Sequence, residues 1–210
     1  MTRILIADDH AIVRHGLKQI LEESGEMSVV AEAANGVDAM HKIREIDCDV
    51  VLLDISMPGK NGIEVLKQIR EEKPKLPVLI LSIYPEDQYA VRLIKAGASG
   101  YITKESAPEV VVEAVRRVAS GKKYISQTVA EILANQISTP NERLPHEGLS
   151  NREYQIFLLL AAAKTVSEIA DTLSLSVKTV STHRSRLLKK MPLRNNSEIM
   201  HYAIENHLLE

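Results

Sequence analysis

The sequence predicts a doubly wound α/β domain on a five-stranded parallel sheet, followed by a smaller all-α domain of four helices. Three observations carry this. Short apolar runs alternate with amphipathic stretches through residue ~120, the pattern of repeated βα units. From Ser150 onward the pattern is purely helical. Between the two, Ser138 to Gly148 holds two prolines, one glycine and mixed charge, the composition of a linker. The expected division is 1–120, a helix and linker over 121–148, and 149–210.

In chain order, strands are expected near 2–8, 27–33, 49–54, 77–82 and 99–103, and helices near 10–23, 36–46, 61–72, 86–96 and 107–120. Gly121 breaks the alternation, and residues 124–137 read as one more helix. Ser150-Asn151-Arg152-Glu153 has the form of a capping box and opens a helix over 151–162. Thr165-Val166-Ser167-Glu168 is a second such box, before a helix over 166–173. Ser176 caps a third over 177–191, and Asn196 or Ser197 a fourth over 197–207. The second and third are separated only by Ser174-Leu175-Ser176. A short, basic-ended pair of this kind is a helix-turn-helix candidate.

The strand ends carry the chemistry. Val50-Val51-Leu52-Leu53 runs into Asp54, then into Met57-Pro58-Gly59. Ile4-Leu5-Ile6-Ala7 runs into Asp8-Asp9. Right-handed crossovers bring every loop after a strand to one edge of the sheet, where ligands of such folds bind. Asp8, Asp9, Asp54, Ser82 and Lys104 therefore share one expected pocket. Three converging carboxylates repel one another unless a cation sits among them, and hard oxygen donors in small number point to Mg²⁺. Taken alone, each residue has a plainer use: Ser82 as a helix cap, Tyr101 as an ordinary aromatic, Cys48 as a buried thiol.

Composition bounds the rest. The chain has 210 residues, 45% of them apolar and only 3% aromatic, so the core must be aliphatic. One cysteine excludes an intrachain disulfide and suits a reducing compartment. No uninterrupted apolar stretch approaches the ~18 residues of a membrane span, and Met1-Thr2-Arg3 leads straight into a strand with no signal-peptide pattern. A cytoplasmic protein with no membrane partner is expected. The net charge is −2, but it is unevenly placed. From Leu149 on, eight bases face six acids, leaving +2 there and −4 over residues 1–148. Between Ser176 and Asn195 there are six bases and no acid, a stripe suited to phosphates.

Both halves resemble a known family. Residues 1 to about 120 resemble the receiver domain of bacterial two-component response regulators, a flavodoxin/CheY-like fold. The resemblance rests on Asp8-Asp9, on Asp54 with Met57-Pro58-Gly59 and Gly62, on Ser82, and on Tyr101 three before Lys104. Residues 149–209 resemble the helix-turn-helix domain of the NarL/FixJ (LuxR-type) subfamily. The matching strings are Leu149 to Glu153, Glu168-Ile169-Ala170, and Leu175 to Arg184.

The resemblance implies that Asp54 accepts a phosphoryl group from a sensor histidine kinase. It implies Mg²⁺ held by Asp8, Asp9, Asp54 and the Ser56 carbonyl. Lys104 and Ser82 would hold phosphoryl oxygens, and Tyr101 would move inward as a switch when Ser82 engages them. The implied protein is not an enzyme but a regulator of transcription that binds double-stranded DNA, as a homodimer once phosphorylated. On the third C-terminal helix, Val180, Leu187 and Met191 are expected inward. Lys178, Ser181, Thr182, Ser185 and Lys189 then face the groove, and Thr179 is also expected among the DNA-binding residues. Lys164, Thr165, Arg184, Arg186 and Lys190 are expected on phosphates. Ile199, Met200, Ala203 and Ile204 form an apolar stripe with two competing uses, dimer contact or core.

The sequence departs from the family at four places. Glu105 follows Lys104 where many receivers have proline with a cis bond. Ile83 stands where many have a small residue, at the pocket mouth. Ser181 replaces a common lysine. Pro192 replaces a usual glycine and is expected to stop the helix without a left-handed conformation. A phosphatase with an aspartyl intermediate would carry a second acid two residues after Asp54; Ser56 stands there and argues against it. A regulator that binds DNA without phosphorylation is the third reading, and the intact acidic pocket argues against that.

Overall fold

The computed structural model describes residues 1–138, 144–206 and 208–209. The chain falls into two compact units, Met1–Thr139 and Pro140–Glu210. The first contains β1 (Thr2–Ala7), α1 (Ala11–Glu23), β2 (Met27–Ala33), α2 (Gly36–Glu45), β3 (Val50–Asp54), α3 (Gly62–Glu72), β4 (Val78–Ser82), α4 (Glu86–Lys95), β5 (Gly100–Thr103), α5 (Pro108–Ala119) and α6 (Gln127–Ser138). The five strands are parallel in the order β2-β1-β3-β4-β5. The order turns back at β1 and β3, so the carboxyl ends of those two strands flank the switch point where a doubly wound sheet binds its ligand.

Every residue of β3 and β4 is buried, as expected of inner parallel strands covered on both faces. On one face Ile4, Ile6, Val50, Leu52, Leu79 and Leu81 pack with Leu17 and Leu21 of α1 and Val111, Val115 and Val118 of α5. Each fully buried aliphatic side chain there contributes about 1.5–3 kcal/mol of burial energy. Alternation sends Leu5, Val51, Leu53 and Ile80 to the other face. The start of α3 lies so close to β3 that a Cβ on Gly62 would come within 2.0 Å of the Asp54 carbonyl oxygen. Only glycine fits at this step from strand end to helix.

The second unit has a 3₁₀ turn (Pro145–Gly148), α7 (Asn151–Ala161), α8 (Val166–Thr172), α9 (Val177–Lys190) and α10 (Asn196–Glu205). The helices α9 and α10 pack on α7, and α8 packs on α9. Phe157, Ile169, Val180, Leu187, Ile199 and Ala203 form the fully buried centre. Both predicted capping boxes are present, at Ser150/Glu153 and Thr165/Glu168. Ser174, in the turn between α8 and α9, takes φ +51°, and the next N–H, of Leu175, returns to the Ala170 carbonyl at 2.8 Å.

The expected elements stand, with local corrections. The helix expected at 124 begins at Gln127, because Tyr124 instead pairs with Gly100 on the edge strand and Ser126 serves as the cap. The cap of α10 is Asn195, which accepts the Glu198 N–H at 3.0 Å, rather than Asn196 or Ser197. Pro192 does adopt a positive φ, +25°, against the proline ring's own preference near −65°. It takes the place a glycine would fill, and the Leu193 N–H returns to the Leu188 carbonyl at 3.0 Å. The Lys104–Glu105 bond is trans. Of the expected linker, residues 139–143 lie outside the described residues.

Candidate functional site

At the carboxyl edge of the sheet the register sets Ala7 beside Leu53 and Asp54 beside Leu81. Asp8, Asp54 and Ser82 therefore stand in one row at the strand ends, each essentially inaccessible to water. Lys104, just beyond β5, reaches back to both acids. Its Nζ donates to Asp54 Oδ2 at 2.8 Å and lies 2.6 Å from Asp8 Oδ2. The other Asp54 oxygen accepts the Ser56 N–H at 2.9 Å. Burial pushes the Asp54 carboxyl above the usual carboxylate range, opposed by the Lys104 and Ser56 bonds. Burial also works against the Lys104 charge, but the two carboxylates outweigh it and hold its pKa above the usual lysine value.

Asp9 is partly exposed at the mouth. Ligand atoms of Asp8, Asp9, His10 and Asp54 all lie within 4.8 Å of one another. Three carboxylates make a hard oxygen set, which fits a divalent cation of the Mg²⁺ type. Two residues here escape sequence reasoning. The His10 N–H donates to Asp8 Oδ1 at 2.8 Å, and its Nδ1 lies 2.8 Å from Asp9 Oδ1. From behind, the Arg14 guanidinium donates to the Asp8 carbonyl at 2.7 Å, backed by Glu32 at 3.4 Å. Position next to an acidic pair was the one available signal for His10. The helical spacing that aims Arg14 back at the strand end gave none.

Ser82 Oγ accepts the Tyr84 N–H at 3.1 Å. Tyr101 is inward and 1% exposed, its hydroxyl donating to the Tyr84 carbonyl at 2.7 Å, and burial raises its phenol pKa. Ile83 is exposed beside them. Cys48 is half-buried just before β3, at the opposite end of that strand from Asp54, and burial raises its thiol pKa, as suits an inert side chain.

In the second unit α9 turns Val180 and Leu187 inward, with Met191 buried just beyond its end. Lys178, Ser181, Thr182, Ser185 and Lys189 are exposed along the opposite face, and Thr179 is half-buried at its border. The side chains of Lys178, Ser181, Ser185, Arg186, Lys189 and Lys164 make no hydrogen bond or ion pair among the described residues. Thr182 Oγ1 donates to the Lys178 carbonyl at 2.9 Å, and Thr179 Oγ1 pairs with Ser176 Oγ at 2.8 Å.

Three expected phosphate contacts are already engaged elsewhere. The Lys190 Nζ donates to Glu153 on α7 at 2.6 Å. Arg184 donates to Asn196 at 2.8 Å, and the Thr165 hydroxyl donates to Glu168 at 2.8 Å within its capping box. The first pair joins residues 37 apart in sequence, which periodicity does not reveal. The α10 stripe divides: Ile199 and Ala203 are core, whereas Ile204 is exposed and borders with Met200 a recess of ≈ 460 Å³ near Leu160 and Ala163.

Comparison with known proteins places these two sites in context. Residues 4–116 match the family model described as the response regulator receiver domain. Residues 147–203 match that of the bacterial regulatory proteins of the luxR family. Response regulator UvrY of Escherichia coli K12 is 38% identical over 209 residues, covering 99% of this chain and 96% of that protein. Response regulator GacA of Pseudomonas aeruginosa is 36% identical, covering 100% and 99%. Among solved structures, RcsB of Salmonella enterica serovar Typhimurium, bound to the promoter rprA in the presence of phosphomimetic BeF₃⁻, aligns with a TM-score of 0.64 at 25% identity. It covers 96% of this chain and 97% of that one.

Proposed function

Because this chain belongs to the bacterial response regulators of the NarL/FixJ type, a receiver joined to a luxR-family DNA-binding domain, we propose that Asp54 is its phosphoacceptor, that a sensor histidine kinase is the donor, and that the modified protein binds double-stranded DNA as a homodimer. The functional division is then a receiver over 1–120, a helix and linker over 121–148 and a DNA-binding domain over 149–210. The observation that supports this best is the Lys104 ammonium set against both Asp54 and Asp8 at the floor of the pocket.

In this reading an Asp54 carboxylate oxygen attacks phosphorus, and the bond from phosphorus to the kinase histidine breaks. Phosphoryl transfer asks mainly for positioning and charge neutralisation. The Ser56 N–H fixes one Asp54 oxygen and leaves the carboxylate oriented. Lys104 shifts from carboxylate to phosphoryl oxygen with its charge already in place, and the Ser82 hydroxyl donates to another. Tyr101 is the switch residue in this reading, although it is already inward with Asp54 unmodified, its hydroxyl on the Tyr84 carbonyl, so an inward swing is not what would signal. Asp8, Asp9, Asp54 and the Ser56 carbonyl would hold Mg²⁺, which supplies neutralisation of charge on the transferring group. His10 and Arg14 keep Asp8 and Asp9 in position.

On the DNA side, Lys178, Ser181, Thr182, Ser185 and Lys189 form the groove-facing surface, with Thr179 at its edge. Lys164 and Arg186 meet phosphates from the flanks. Thr165 and Lys190 contribute there only if they leave Glu168 and Glu153. Met200 and Ile204 are the apolar residues of α10 left over for a second copy. No helix among the described residues is long and apolar enough to cross a membrane, which fits action in the cytoplasm. Fluorescence anisotropy on a promoter fragment, with light scattering on the same samples, tests the reading. Acetyl phosphate raises both DNA affinity and apparent mass; identical values before and after would oppose it.

A further inference from the structure

The loop after β4 is bonded in two directions. Toward the pocket, the Tyr84 N–H donates to Ser82 Oγ and the Tyr84 carbonyl accepts the Tyr101 hydroxyl. The Tyr84 ring lies 4.9 Å from that of Tyr89 on α4. Two residues after Tyr84, Glu86 begins α4. Away from the pocket, the Glu86 carboxylate accepts a hydrogen bond from the Ser126 hydroxyl. Ser126 is the cap of α6: its Oγ accepts the Val129 N–H at 3.3 Å and its carbonyl accepts the Ala130 N–H at 3.0 Å. A bond to an ionised carboxylate is about twice as strong as a neutral one.

A second tether holds the same segment. The Tyr124 N–H donates to the Ser99 carbonyl at 2.9 Å, and Gly100 lies so close that a Cβ there would stand 2.8 Å from the Tyr124 carbonyl oxygen. Val129, buried at 1% exposure, seats α6, which packs against α4. The β5 tether is main chain to main chain and stays with the sheet. The Glu86 tether hangs on the short loop whose geometry Ser82 sets.

We propose that the Glu86–Ser126 bond is the latch through which the state of the Asp54 pocket reaches α6, the last helix before the linker. The proposal rests on the phosphoacceptor reading above. Ser82 Oγ drawn to a phosphoryl oxygen no longer receives the Tyr84 N–H in the same geometry, so residues 83–86 shift. Glu86 moves with them, and the α6 cap is held or released accordingly. Both ends of the coupling are thus named, together with the element that would move between them, the first turn of α4.

The test is amide hydrogen exchange at Val129–Ala134 in the full chain, before and after acetyl phosphate, with intact mass measured on the same samples. Wild type is expected to change its exchange there by about fivefold or more on phosphorylation. Glu86→Ala, which leaves the Ser126 cap intact, and Ser126→Ala are both expected to gain the phosphoryl mass fully yet show no such change. Retention of the wild-type change in Glu86→Ala would overturn the latch. So would loss confined to Ser126→Ala, which marks a local cap effect, or a phosphorylated wild type with unaltered exchange. A wild type that gains no phosphoryl mass would instead remove the underlying reading, and the latch with it.

Discussion

Lys190 at the end of α9 donates to Glu153 at the start of α7, across the small helical unit, at 2.6 Å. The carboxylate is 4% exposed and also serves the Ser150 capping box, whose N–H it accepts at 2.7 Å. One acid thus closes a helix end and clamps the helix-turn-helix pair to its scaffold. Removing the lysine leaves a buried carboxylate with less compensation. Lys190→Ala is expected to lower the stability of this unit by about 1 kcal/mol, read by thermal or urea unfolding. The salt dependence of DNA binding is expected to stay near that of the wild type, and a large change would place Lys190 on phosphate instead.

The same pair predicts a pH dependence. Burial alone would push the Glu153 carboxyl up, but the Lys190 ammonium and the Ser150 N–H and hydroxyl hold it below the usual range. A carboxyl lowered in the folded state contributes stability that is complete above its unfolded value of about 4.3 and is lost as pH falls through the folded value. The stability gap between wild type and Glu153→Gln is therefore expected to be full at neutral pH and to close from about pH 5 downward. A gap that widens on acidification would contradict the assignment.

The two kinds of exposed base on α9 are expected to fail differently. Lys178→Ala relaxes preference at one base position and costs about 1–3 kcal/mol on the best site. Arg186→Ala weakens all sequences alike and flattens the salt slope by roughly one per contact, hence about two in a dimer. Binding to a site library at several salt concentrations separates them. Uniform weakening by Lys178→Ala would mean that α9 docks differently.

Pro192 sits at φ +25°, where glycine is at ease and the proline ring is not. Pro192→Gly is expected to stabilise the second unit by about 1 kcal/mol, the relieved strain exceeding the entropy that the ring removes from the unfolded chain. A lower melting temperature in the variant would show the entropic effect to be the larger.

The pocket was legible because its chemistry is tied to strand ends. An acid after an apolar run has its position fixed by the topology, so the sequence alone sets Asp8, Asp54, Ser82 and Lys104 on one edge. Helix boundaries were legible where a cap announced them, as at Ser150 and Thr165, and slipped where an unpredicted pairing intervened, as at Tyr124. What the sequence hid were contacts between residues distant in the chain. Nothing in the spacing ties Lys190 to Glu153, Arg184 to Asn196 or Ser126 to Glu86. Those bonds decide which basic side chains of the second unit are left without a partner among the described residues and how α6 is held. The positive φ of Pro192 was not foreseen, because the residue type alone argues for the opposite sign.

The most direct measurement is intact mass, with peptide mapping, after exposure to acetyl phosphate and Mg²⁺ or to a phosphorylated kinase, on wild type and Asp54→Ala. The account predicts one phosphoryl group on the wild type, carried by the peptide containing Asp54, and none on the variant. Undiminished phosphorylation of Asp54→Ala would contradict it.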